Sequence, residues 1–194
     1  MSLVGRLIAS IGLLLAGAGA ASQATPAQAA AAEAVRDPEN TLIMQLKTGR
    51  VAIEMRPDLA PHHVARIKEL VRKGFYDGVV FHRVIEGFMA QTGDPTGTGR
   101  GGSGQHIKAE FSSEHHVRGT VSMARAQSPD SADSQFFICF ADAPFLDGKY
   151  TIWGKVVEGM EFVDQIKKGD PNDNGSVTDP DKIVWMKVAA DVKE

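Results

Sequence analysis

Cysteine is nearly missing from this chain of 194 residues; Cys139 is the only one. One thiol cannot form an intrachain disulfide or hold a structural zinc by itself. Cys139 stands in the apolar run Phe136-Phe137-Ile138-Cys139-Phe140, without the cationic, exposed surroundings that make a thiol reactive. It reads as a small buried hydrophobe. An excess of charge is missing too. The net charge of -3 gives no footprint for nucleic acid or an anionic membrane surface. No apolar run reaches the about 20 residues that span a bilayer. The chain also lacks G-x-S-x-G, and with it the nucleophile elbow of a serine hydrolase. The apolar and charged fractions, 43% and 23%, are those of a globular chain that folds around a core.

Several patterns that are present lead away from chemistry. Gly97-Thr98-Gly99-Arg100-Gly101-Gly102 matches G-x-G-x-x-G by letter. A dinucleotide site needs that run to open a helix, and Ser103-Gly104-Gln105 does not continue as one. A surface loop that bends sharply is the simpler account. His62-His63 and His115-His116 are adjacent pairs, and sequence neighbours do not share a helix or strand face. With His82 in an apolar run, the histidines make no metal set. Asp130, Asp133, Asp142 and Asp147 read as turn and cap residues.

The first stretch has its own grammar. Arg6 supplies a positive charge, residues 7–15 are mostly apolar, and small residues follow from Ala16 to Ser22. Ala16-Gly17-Ala18 and Ala18-Gly19-Ala20 match the A-x-A cleavage pattern. Residues 1–22 are therefore expected to be a cleaved signal peptide, leaving a periplasmic or secreted protein with no stable membrane insertion. Residues 23–40 are rich in Ala, with Gln and Pro, and read as a flexible tether to a domain over 41–194.

Strand-like runs occupy residues 41–46, 51–55, 79–84, 88–91, 119–124, 136–140, 151–157 and 182–190. The first two, joined around Gly49, suggest a hairpin. Residues 61–73 read as a helix, with Pro61 at its first position, a stripe of Val64, Ile67, Leu70 and Val71, and Gly74 as its stop. Residues 160–168 read as a second helix closed by Gly169. Many short strands with two isolated helices argue for a mainly β fold, a closed eight-stranded antiparallel β-barrel capped by two α-helices. Side chains just fill such a barrel, which puts any active site on its outer wall.

Five blocks then carry a resemblance. Residues 81–94 run Phe-His-Arg-Val-Ile-Glu-Gly-Phe-Met-Ala-Gln-Thr-Gly-Asp. Gly119-Thr120-Val121-Ser122-Met123-Ala124-Arg125-Ala126, Ser134-Gln135-Phe136-Phe137-Ile138, Phe145-Leu146-Asp147-Gly148 and Gly154-Lys155-Val156-Val157-Glu158-Gly159-Met160 follow. In order and spacing they resemble the cyclophilins, over residues 41–190. The resemblance implies peptidyl-prolyl cis-trans isomerase activity on proline-containing polypeptides, with no cofactor and no metal. It assigns the catalytic arginine to Arg83 and the proline pocket to Phe88, Met89, Phe137 and Leu146. Gln91, Ala124, Arg125 and Gln135 match groove positions, and Tyr150 takes a groove-edge place where many eukaryotic members carry histidine. Phe145 stands where many of those members carry tryptophan; it has no N–H to donate, so cyclosporin is expected to bind weakly. The protein is expected to work as a monomer.

The residues themselves read the same way. Gln135 and Phe137 share one strand face, and Phe136, Ile138 and Phe140 share the other. The all-apolar face suits a core; the mixed face suits an apolar pocket with a polar rim. Arginine is rarely buried unpaired, so Arg83 is hard to explain as core.

The order of charge, apolar run and small residues fixes an outcome for export: mass spectrometry of the mature protein should place its N-terminus in the cleavage window from Ala18 to Ala24. A full-length chain recovered from the cytoplasm would contradict it.

Overall fold

The computed structural model describes residues 37–192. The signal-peptide span and residues 23–36 of the tether lie outside the described residues. Residues 37–40 form a 3₁₀ turn capped by the Asp37 side chain. Glu39 in this turn pairs with Lys68 and Arg72, and Arg72 also holds Asp191.

The hairpin around Gly49 joins β1 (Thr41–Gln45) and β2 (Arg50–Met55). Helix α1 (Pro61–Arg72) follows, then β3 (Arg83–Ile85), β4 (Met89–Thr92), β5 (Thr120–Met123), β6 (Phe136–Cys139), β7 (Ile152–Glu158), the short helix α2 (Met160–Asp164) and β8 (Trp185–Val188). The strands form one antiparallel sheet in the order β3-β4-β6-β5-β7-β2-β1-β8. Its concave side and α1 enclose the main core, in which Trp153, Phe136, Phe81 and Tyr76 are fully buried.

The expected closure does not occur. The edge strands β3 and β8 share no ladder, and the sheet is an open, curled half-barrel. The seam is crossed by separate contacts instead. Val80 bridges Lys182 and Arg83 bridges Ser176. Phe81 N–H donates to the Asp181 carbonyl at 2.9 Å, and Val84 N–H donates to the Gly175 carbonyl at 2.8 Å. The run at 79–84 therefore becomes a regular strand only from Arg83, because a loop rather than a strand lies along it. Gly175 makes that close approach possible. Its φ is +79°, and a Cβ there would come within 2.5 Å of Ile85 Cγ1 and 3.0 Å of the Val84 carbonyl.

Helix α1 buries Val64, Ile67, Leu70 and Val71 as its stripe demands. Ala60 offers no side-chain cap, yet the first N–H groups of a helix need partners. Glu110 supplies them from a distant loop: its two oxygens accept from the His62 and His63 backbone N–H at 3.1 and 3.0 Å. The same oxygens meet the two Nδ1 atoms at 2.7 and 2.6 Å. Helix α2 is shorter than the expected span of 160–168. The Lys167 N–H is taken by Asp181 Oδ2 at 2.9 Å, so the chain leaves the helical path after a final tight turn.

Burial pushes the Glu110 carboxyl up, but hydrogen bonds from His63 and His62 overcome this and bring it down to about 2. A depressed carboxylate stabilises the fold above its unfolded value and loses that effect as pH falls through the folded one. Glu110→Ala also leaves buried His63 without its partner. It should cost about 1–3 kcal/mol near neutral pH. Denaturant titrations of both forms should converge as pH drops from 4.5 toward about 2.

Candidate active site

Strand alternation sorts the sheet into two faces. On the outer face the ladders align one row across four strands. Arg83 on β3 lies opposite Gln91 on β4, Gln91 opposite Phe137 on β6, and Phe137 opposite Ser122 on β5. The next row sets Ile85 opposite Met89 and Met89 opposite Cys139. These rows underlie a second apolar cluster of Met89, Phe137, Cys139, Ala143 and Leu146, separate from the main core. Phe136 and Ile138 point the other way, into that core. Cys139 is buried, and burial pushes its thiol up to about 12, so it stays protonated and inert.

Over this cluster opens a groove of about 440 Å³. Arg83, Phe88, Met89, Gln91, Ala124, Arg125, Phe137, Phe145, Leu146 and Tyr150 all line it, joined by Lys149. Gln135 lies in the adjoining cavity of about 470 Å³, which shares Gln91, Ala124 and Arg125 with the groove. Sequence reasoning thus named nearly the whole groove. It missed Lys149, and in the second cavity the wall made by Gly99 to Gly102, His106, Ser131 and Asp133.

Arg83 is half-buried, and three contacts fix its guanidinium. Nε donates to the Asn174 carbonyl at 3.0 Å, one terminal nitrogen to Asn174 Oδ1 at 2.9 Å, and the other to Gln91 Oε1 at 3.1 Å. Gln91 Nε2 then donates to Gln135 Oε1 at 2.9 Å, and Gln135 Nε2 to the Gly101 carbonyl at 2.8 Å. A polar chain therefore runs along one side of the apolar floor. Burial lowers the Arg83 pKa, but a guanidinium stays charged under any ordinary condition. Asn174 was not foreseen; Asp173-Asn174-Gly175 reads only as a turn.

The remaining walls are aromatic. Phe137 meets Tyr150 edge-on at 6.0 Å. The Arg125 guanidinium sits 4.6 Å from the Tyr150 ring centroid, and its N–H groups donate to the Lys149, Ala126 and Gln127 carbonyls. Phe145 packs on Phe88 at 5.3 Å yet remains 59% exposed, a rim rather than a floor. Among the described residues no group of three or more His, Cys, Asp or Glu side chains could hold a metal, and no helix is long and apolar enough to cross a membrane.

A half-barrel with this outer groove is the architecture of a cyclophilin. The family model described as cyclophilin type peptidyl-prolyl cis-trans isomerase/CLD matches residues 41–188. A Brucella suis protein named "Probable peptidyl-prolyl cis-trans isomerase" is 59% identical over 169 residues, covering 81% of this chain and 86% of its own length. A Helicobacter pylori peptidyl-prolyl cis-trans isomerase is 48% identical over 126 residues, covering 63% of this chain and 77% of its own length. Among solved structures, the cyclophilin AquaCyp293 from Hirschia baltica superposes with a TM-score of 0.72 at 31% identity, covering 81% of this chain and 76% of that one. A Cryptosporidium parvum cyclophilin type isomerase, solved in the presence of the dipeptide Ala-Pro, gives 0.70 at 30% identity, covering 76% and 98%. The chain belongs to the cyclophilin-type peptidyl-prolyl cis-trans isomerase family. Its activity is cis-trans isomerisation of peptide bonds that precede proline.

Proposed function

We propose that Arg83 is the catalytic residue and that the groove beside it grips the proline ring. An X-Pro bond turns slowly because its amide resonance must be lost, a barrier of about 18–20 kcal/mol. In the twisted state the proline nitrogen pyramidalises and gains a lone pair. A donor aimed at that lone pair binds the twisted state better than the planar one, which is what acceleration requires. The observation that carries this reading is the tethering of Arg83. A guanidinium has five N–H donors, and three are committed to Asn174 and Gln91. Each terminal nitrogen keeps one N–H for substrate, in a direction the other bonds have already set. Met89, Phe137 and Leu146, each no more than 7% exposed, form the apolar seat for the ring, with Phe88 at its edge. Gln91, Gln135, Ala124 and Arg125 hold the flanking peptide, so that one side turns while the other stays fixed. The Ala-Pro dipeptide used with the Cryptosporidium parvum relative is of the ligand class such a seat takes.

The protein works as a monomer outside the cytoplasm, in the periplasm of a bacterium or beyond it, on exported chains that are still folding. The charged, apolar and small-residue order of residues 1–22 supports the export. Cyclosporin binds it weakly. Phe145 presents an aromatic rim but no donor.

Two substitutions test the site. Arg83→Ala should lower kcat/KM about 10²–10³-fold, the usual effect of losing one preorganised donor, with the domain still folded by circular dichroism. Near-full activity on a proline tetrapeptide would remove Arg83 from its role. Phe145→Trp should tighten cyclosporin inhibition about ten- to a hundredfold, since a hydrogen bond contributes about 0.5–1.5 kcal/mol, a partner left buried and unpaired costs about 1–3 kcal/mol, and each 1.4 kcal/mol is about a factor of ten. Inhibitor titrations of both forms under one condition make the comparison, with turnover spared.

A further inference from the structure

Behind the groove floor lies a histidine that the mechanism does not use. His116 is 1% exposed, and its ring stacks on Phe137 at 6.3 Å and 18°. Its Nδ1 lies 2.9 Å from Asp147 Oδ1, which also accepts the His116 backbone N–H at 2.8 Å. Its Nε2 lies 3.0 Å from Ser122 Oγ. Asp147 directly follows the groove residue Leu146, and Ser122 lies opposite Phe137 in the β5–β6 register. The imidazole therefore joins the floor of the groove to one of its walls.

Hydrogen bonding allows two protonation states. Asp147 is ionised, its carboxyl held well below the usual range first by the His115 side chain and then by His116. A carboxylate only accepts, so Nδ1 carries a hydrogen in either state. In the neutral ring Nε2 accepts, and the Ser122 hydroxyl donates to it. In the imidazolium Nε2 donates to Ser122 Oγ, and the hydroxyl turns to the Thr151 carbonyl, 2.9 Å away. That carbonyl already accepts the Met123 N–H, so it is satisfied in the first state as well. Neither state leaves a buried polar atom unpaired.

We propose that His116 is a positioning residue for the proline pocket, and that protonation of its Nε2 stiffens the pocket through Phe137 and Asp147. This inference rests on the groove being the proline site. The imidazolium lies in offset stacking beside the Phe137 ring and forms a charge-assisted bond to Asp147, stronger than the neutral one. A preorganised seat binds its ligand more tightly. Among the surrounding groups His115 responds as well, its pKa raised above the ordinary 6.5 by its hydrogen bond to Asp147, and the variants below separate the two. Asp147 comes from the turn after Leu146, with exposed His115 on its other oxygen at 2.7 Å. On β6, Cys139 stays neutral. β5 contributes no ionisable group toward it. Asp142 receives the Arg118 N–H, and the Arg118 guanidinium is committed to Asp164. Burial pulls His116 below its ordinary 6.5 while Asp147 pulls it back, so the transition falls on the acid side of neutrality.

The test follows isomerisation of an X-Pro peptide by NMR exchange, which needs no coupling protease, across the range of about pH 5 to 8 where a histidine titrates. On acidification, KM should fall about two- to fivefold in a one-proton step, the effect of strengthening the His116–Asp147 bond. The Phe137 ring resonances should shift with the same midpoint as the His116 ring. His116→Gln should lose the step, and His115→Gln should keep it. A KM step that survives in His116→Gln, or Phe137 resonances that ignore the His116 titration in the natural protein, would overturn the proposal. The Phe137 readout needs no variant to fold. Arg83→Ala acts on kcat at every pH, so failure of the arginine assignment and failure of this one are separately visible.

Discussion

The register of four strands on the outer face of the sheet is the constraint on which the rest depends. Arg83, Gln91, Phe137 and Ser122 form one transverse row only because β3, β4, β6 and β5 pair as they do. A slip of one residue in any of these ladders would turn a whole strand over. A slipped β6 would send Phe137 into the main core and bring Phe136 out. The main core guards against that, because Phe136 packs edge-on against both Trp153 and Tyr76. The large aromatics of the inner face thus hold the chemistry of the outer one in place. Val84, at 0% exposure, anchors the strand that carries Arg83 in the same way.

Much of the groove was legible in the sequence through the five ordered blocks that resemble the cyclophilins, and strand periodicity, a local signal, added an independent reading of a few positions. Gln135 and Phe137 on one face and Phe136 and Ile138 on the other can be read two residues at a time. What stayed illegible depends on partners far along the chain. The run at 79–84 is apolar enough for a strand, but nothing in it tells that a loop containing Gly175 will lie opposite. Helix α2 carries a pattern that could continue, and it stops where Asp181 captures the Lys167 N–H. Asn174, which fixes two nitrogens of Arg83 across 91 positions, stands in a segment whose composition reads only as a turn. The closed barrel was a fair expectation from strand count, and the same distant loop is why it fails.

The two histidine pairs show a different limit. Adjacent residues do not share a face in regular structure, which is why the sequence argues against a metal set. At a helix start and in a loop, however, neighbouring rings can converge. His62 and His63 take the two oxygens of Glu110, and His115 and His116 take the two oxygens of Asp147. In each pair one ring is buried and one is exposed. The buried ring's burial disfavours its charge, and the shared carboxylate opposes that, so each pair joins two segments through a single anion. One clamp closes the start of α1; the other backs the outer groove.

The open seam carries a consequence for how this protein behaves in company. A bare sheet edge is a template on which another chain can add a strand, and a folding catalyst spends its time among chains that have not yet hidden their own strands. Both edges here are partly occupied. On β3 the Val84 N–H donates to Gly175, and the Val84 carbonyl accepts from Gly169. On β8 the outward Met186 N–H is taken by the Asp77 side chain at 2.9 Å. The loop that steadies Arg83 therefore also keeps β3 from recruiting an extended chain by strand addition.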